Sequence, residues 1–157
     1  MLHSFDIQLL ADIRSMPGSN KYPQFNQSAL ERSLQGAGIK YKHFPGLGGR
    51  RKPRPDSTNT AWRSKAFMGY ADYMETAPFK AAIEELEQIA IHSRVAYMCS
   101  EAVWWRCHRS LVSDYLKVLG WEVLHITAIN KATEHPYTSP ARNVQGDLFY
   151  GDDPQIE

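Results

Sequence analysis

Apolar and polar residues change rhythm several times along the chain, and each change marks an element. Residues 7–14 (IQLLADIR) form a short apolar run closed by polar side chains, with Pro17-Gly18 behind it; this predicts a buried strand leading into a turn. Asn26 occupies an N-cap position ahead of Ala29, Leu30, Leu34 and Ala37 at helical spacing, and Gly36 and Gly38 supply the stop. Residues 39–44 alternate like a half-buried strand. Helical spacing resumes near Phe67-Met68 and runs through Met74. Thr76 then caps a further helix that tolerates Pro78 in its first turn and carries one stripe of Phe79, Ala82, Ile83, Leu86, Ile89 and Ala90. Residues 94–99 (RVAYMC) read as a buried strand, a helix follows to about Leu119 with Gly120 as its stop, and 121–127 (WEVLHIT) read as another strand.

Strands separated by helices predict a single α/β domain over residues 1–150, with a mainly parallel sheet, helices on both faces, and a frayed acidic tail at 151–157. A chain of 157 residues suits one domain and buries a core unaided. Ligands of such sheets bind outside the carboxyl ends of the strands. The segments that follow Ile13, Phe44, Cys99 and Ile126 are therefore expected at one rim: Arg14-Ser15, the loop 45–65, residues 100–109, and 127 onward. No apolar run reaches the roughly 18 residues a membrane span requires. The first residues lack a charged, then apolar, export leader, and two cysteines do not make a disulfide framework. A cytoplasmic protein with no membrane partner is expected.

Composition sharpens this picture only when divided. The whole chain has 18 basic and 17 acidic side chains. Between 45 and 65, however, Arg50, Arg51, Lys52, Arg54, Arg63 and Lys65 face only Asp56, a net +5 that leaves −4 for the remainder. Seven arginines (Arg14, Arg50, Arg51, Arg54, Arg63, Arg106 and Arg109) fall in segments expected at the rim, and guanidinium suits two-pronged recognition of phosphate or carboxylate. The expected partner is an anionic small molecule or nucleotide; pairing of Arg14 or Arg109 with Asp12 or Glu101 is the plainer role. Trp62, Trp104 and Trp105 keep nucleic acid open as an alternative partner, since they serve equally as stacking platforms or as loop anchors. Gly46, Gly48 and Gly49 lack the Lys-Ser or Lys-Thr ending of a nucleotide-binding loop, and let the backbone turn or approach closely instead.

Cys99 ends a strand, and the amides of the helix behind it favour a thiolate. Read as chemistry, Cys99 is a nucleophile, Glu101 an acid–base or positioning group, and Arg109 an anion anchor, with Ser15, Arg50, Arg51, Arg106, Cys107 and His108 lining the pocket. Read as packing, Cys99 is a small core residue. Cys99, Cys107 and His108 also supply three donors of a four-ligand zinc site. Neighbouring positions such as Cys107 and His108 diverge by about 100° on a helix, and no Cys-x2-Cys hairpin is present. A redox pair of the two cysteines is a third reading. Val103, Trp104 and Trp105 replace the small residues and arginine of a cysteine-phosphatase loop, so that chemistry is not expected in its standard form.

Several motifs in order carry a resemblance: Asp12-Ile13-Arg14-Ser15-Met16-Pro17-Gly18-Ser19, Pro23-Gln24-Phe25-Asn26, Leu47-Gly48-Gly49-Arg50, Phe67-Met68-Gly69-Tyr70-Ala71-Asp72-Tyr73-Met74, Met98-Cys99-Ser100-Glu101 and Cys107-His108-Arg109. From about Ile7 to Arg142 the chain resembles the family catalogued as domain of unknown function 488. The resemblance implies an α/β domain with a shared pocket; it names neither a reaction nor a cofactor. The family usually begins with a further strand bearing a Gly-His-Ser or Gly-His-Thr turn, which has no counterpart here. The sheet edge this leaves would favour a homodimer.

Overall fold

The structure is a computed structural model that describes residues 1–151. It divides into two compact units, Met1–Gly49 with Pro78–Ser100, and Arg50–Ala77 with Glu101–Glu157. The expected tail at 152–157 lies outside the described residues.

The first unit holds β1 (Leu9–Asp12), α1 (Gln27–Gly36), β2 (Lys40–His43), most of α3 (Ala77–His92) and β3 (Val95–Met98). Its three strands form a parallel sheet in the order β2-β1-β3, with Asp12 level with His43 on one side and Met98 on the other. The central strand is buried throughout while its neighbours are only part-buried, as a middle strand must be. Leu30 and Leu34 of α1 pack with Leu10, Ile39, Ala96 and Met98. The helix ends as its glycines require: Gly38 takes φ 75°, which costs a residue without Cβ nothing. Asn26 is the N-cap residue, but its side chain accepts the Ser19 amide and so fastens the preceding turn instead of the helix.

The second unit holds α2 (Lys65–Met74), α4 (Arg109–Val118) and two antiparallel pairs, β4 (Leu124–Ala128) with β5 (Lys131–Glu134), and β6 (Arg142–Val144) with β7 (Asp147–Phe149). The apolar run at 121–127, expected as a further parallel strand, is β4. Among the described residues the strands thus form one three-stranded parallel sheet and two two-stranded antiparallel ones, not a mainly parallel sheet of four strands. The reason is local. Ile129 and Asn130 alone separate the paired Ala128 and Lys131, Asn130 takes φ 56°, and the chain returns on itself at once. Gln145 and Gly146, both at positive φ, turn β6 into β7 in the same way. Among the described residues no helix is long and apolar enough to cross a membrane.

The basic loop is held to α2 by two devices. Asp72, nearly fully buried, accepts hydrogen bonds from the Arg54 amide (2.7 Å), Ser57 Oγ (2.6 Å) and Asn59 Nδ2 (2.7 Å). Burial pushes its carboxyl up, but the bonds from Ser57, Asn59 and Arg54 outweigh this and hold it below the usual carboxylate range. One turn earlier, Gly69 lies so close to the loop that a Cβ there would sit 2.2 Å from the Arg51 carbonyl oxygen. Residues 50–64 are therefore built structure, which explains how a long segment without helix or strand persists. Gly69→Ala forces the loop backbone away and is expected to cost about 1–3 kcal/mol. Urea denaturation measures it; an unchanged midpoint with an unchanged slope would show that the close packing carries no weight.

Candidate functional site

In the first unit the carboxyl ends of β1, β2 and β3 lie side by side and present Arg14, Ser15, His43 and Cys99. The core of this edge is Asp12. Arg14 grips it with two prongs, Nε to Oδ1 at 2.8 Å and Nη2 to Oδ2 at 2.6 Å, and Tyr41 donates its hydroxyl to Oδ2 at 2.6 Å. Both partners are buried, and Arg14 Nη1 donates to the Phe25 carbonyl at 2.8 Å. Arg14 is thus committed to Asp12, the plainer of its two expected roles. Ser15 donates to the Gly49 carbonyl at 2.8 Å, and Gly48 must be glycine because a Cβ would fall 2.5 Å from Ser15 Oγ. His43 Nε2 donates to the Arg14 carbonyl at 2.7 Å. Cys99 is half-buried, its sulfur 3.9 Å from Ser100 Oγ.

In the second unit, residues 101–109 descend through one 3-10 turn, Trp104–Arg106, onto α4. The sulfur at the helix start is Cys107. It is 3% exposed, accepts the Arg109 amide at 3.3 Å, and lies 3.7 Å from His108 Nδ1. The helix amide expected to favour Cys99 is thus given to Cys107, because α4 starts eleven residues later than β3 ends, beyond the 3-10 turn. Cys107 and His108 offer one thiolate and one imidazole within reach of one ion, two donors of the four a structural zinc site uses. The His108 ring packs on Tyr70, 4.9 Å between centroids. Arg109 is half-buried, and its side chain donates to the Glu101 carbonyl at 3.3 Å rather than to a carboxylate. Glu101 and Arg106 are exposed.

The remaining arginines of this unit divide into two groups. Arg54 pairs with Glu75 at 2.8 Å and lies near Asp56 and Asp72, and the Arg51 guanidinium stacks 3.6 Å from the Tyr73 ring centre. Arg50, Arg63, Arg106 and Arg109 form no ion pair among the described residues. Trp62 is packed on Phe67 and Tyr150, while Trp104 stacks flat on His125, centroids 4.4 Å apart and planes within 4°. Trp105 is 58% exposed.

One cluster escaped the sequence reading. Asp114, fully buried on α4, accepts from His135 Nε2 (2.8 Å), the Thr138 amide (2.9 Å), Thr138 Oγ1 and the Tyr150 hydroxyl (2.8 Å). His125 Nε2 lies 2.8 Å from His135 Nδ1. Burial, with the electrostatic influence of His135 and Arg109 adding to it, pushes His125 down to about 4. Burial together with Asp114 raises Tyr150 well above its ordinary value. His125 lies in the apolar run 121–127 that the sequence reads as a strand. Its partners sit 10 and 21 residues apart in pairs along the chain, and no local spacing announces them. The one usable signal was Asp114 standing among Leu111, Val112 and Leu116 of α4.

A family model described as domain of unknown function, DUF488, matches residues 1–116, about three quarters of the chain, and stops short of Arg142. Neither a search of the curated proteins nor one of the solved structures finds a match.

Burial pushes the Asp12 carboxyl up, but bonds from Arg14 and Tyr41 outweigh it and hold the group below its ordinary 3.8. The unfolded chain then binds the proton more readily, so the stabilisation is present above about pH 4 and is lost as pH falls through the lower folded value. Asp12→Asn leaves Arg14 buried without its charge partner and is expected to cost about 3–5 kcal/mol at neutral pH. The gap between variant and parent should narrow as pH drops below 3.8, where the parent protonates too. Urea midpoints across pH measure this, and a gap constant with pH would refute the assignment.

Proposed function

The chain belongs to the DUF488 family, and we propose that it binds a small phosphate-class anion through Arg109 at the start of α4. The observation that carries this is the half-buried Arg109 guanidinium, whose side chain has one long bond to a backbone carbonyl and no carboxylate among the described residues. A guanidinium has five N–H donors, and one bond to a carbonyl leaves most of those of Arg109 open to an anion. Arg106 on the preceding turn and the positive end of α4 act in the same direction. Arg14 and Arg54 show the alternative: where this protein uses arginine for structure, it supplies a carboxylate.

The catalytic extension of this reading gives Cys99 the part of nucleophile and Glu101 that of acid or base. Cys99 is supported by its place at a strand end and by its exposure, since Cys107 is nearly sealed. Iodoacetamide labelling followed by peptide mass spectrometry should modify Cys99 well ahead of Cys107; the reverse order would remove Cys99 from the role.

Calorimetric titration with inorganic phosphate tests the anion site. Arg109→Ala should weaken binding about 10- to 100-fold, and Arg109→Lys should restore only part of it, because lysine cannot make the two-pronged contact. Equal affinities for parent and Arg109→Ala would overturn the proposal. A single-stranded oligonucleotide that binds in place of phosphate, with affinity falling steeply in salt, would favour the nucleic-acid reading through the exposed Trp105.

A further inference from the structure

The buried aspartate and two histidines of the second unit have a fixed direction. The Thr138 amide only donates, and a carboxylate that already takes it and two hydroxyls accepts from His135 Nε2–H as well. With its proton on Nε2, His135 has a lone pair on Nδ1, which accepts from His125 Nε2–H at 2.8 Å. The other nitrogen of His125, Nδ1, is then unprotonated. It makes no hydrogen bond among the described residues, yet it is not among the buried polar atoms left without a partner, so it reaches solvent. Trp104, stacked on one face of His125 and edge-on to His135, holds both rings in place. A hydrogen-bonded aspartate that orients one imidazole, which orients a second, leaves an aligned base at the surface end of the chain.

We propose that Asp114, His135 and His125 form a proton relay, in which His125 Nδ1 takes a proton from a ligand held at Arg109. The proposal rests on the anion reading above for the identity of that ligand, an oxyanion or phosphate ester with an ionisable O–H. In the step, the ligand O–H bond breaks and the His125 Nδ1–H bond forms, while His125 Nε2–H breaks and His135 Nδ1–H forms. The electron pair of the O–H bond stays on the ligand oxygen. His125 ends neutral with its proton on the other nitrogen, and the positive charge comes to rest on His135, in ion contact with Asp114 at 2.8 Å. His125 is the catalytic residue of this relay, whereas His135 and Asp114 act through it as positioning residues. The charge of Arg109 and the burial of His125 both keep the resting imidazole neutral, the state in which it accepts a proton.

Proton–nitrogen correlation spectra of the imidazole rings, taken on the isotope-labelled full chain at neutral pH, test the relay before any ligand is added. Both His125 and His135 should carry a proton on Nε2 alone. A proton on Nδ1 of either ring in the free protein overturns the relay, whatever phosphate does. Inorganic phosphate is then titrated in, with the Arg109 Nε–H resonance reporting occupancy. Shifts at both Arg109 Nε–H and His125 Nδ1 support the relay. A shift at Arg109 without a change at His125 Nδ1 overturns the relay and leaves the anion site standing. If Arg109 does not respond, the anion reading fails, and the ring tautomers alone decide for or against the relay.

Discussion

A carboxylate taken out of water must collect its hydrogen bonds from the protein, and three aspartates impose that requirement on this fold. Asp12, Asp72 and Asp114 are the buried acidic side chains among the described residues. Ionised and unpartnered, each would cost more than a small domain can offset; fully partnered, each dictates where several distant segments lie. Asp12 draws in Arg14 and Tyr41, and through Arg14 the carbonyl of Phe25. Asp72 draws in Arg54, Ser57 and Asn59 and so gives shape to a loop that has no secondary structure. Asp114 draws in His135, Thr138 and Tyr150, three residues of the C-terminal hairpin region.

The same requirement sorts the arginines. Seven guanidiniums looked equivalent along the chain, but a side chain that already satisfies a buried carboxylate has little left for a ligand. Arg14 spends three nitrogens on Asp12 and Phe25, and Arg54 lies among acids. What remains for recognition is the smaller set without acidic partners, of which Arg109 is part-buried and therefore the most constrained. Local charge, +5 over the loop, overstated the positive surface there because part of it is neutralised within the loop and α2.

Position along a strand or helix was read more securely than chemistry at its end. Placing a thiol at a helix start needs the residue at which the helix begins, and the 3-10 turn Trp104–Arg106 delays that start. The delay transfers the Arg109 amide to Cys107 and leaves Cys99 on a strand end in company with Ser15 and His43. Trp62 and Trp104, open as stacking platforms on paper, have their faces covered by Phe67, Tyr150 and His125.

By itself the sequence determined the four helices, the three strands of the parallel sheet and the fourth apolar run, together with stops such as Gly38 and Gly120. Those features depend on periodicity and backbone preference, which act within a few residues and so survive in a one-dimensional reading. The family motifs were legible in the same way, although the reason for two positions of one of them, Gly69 against the Arg51 carbonyl and Asp72 beneath the loop, was not. Tertiary structure alone decided that Tyr41 joins Arg14 on Asp12, that Arg54, Ser57 and Asn59 gather on Asp72, and that Asp114 meets two histidines from β4 and the segment after β5. Strand pairing and the satisfaction of buried polar groups are settled between residues far apart in the chain, where many partners fit the local pattern and only burial selects one.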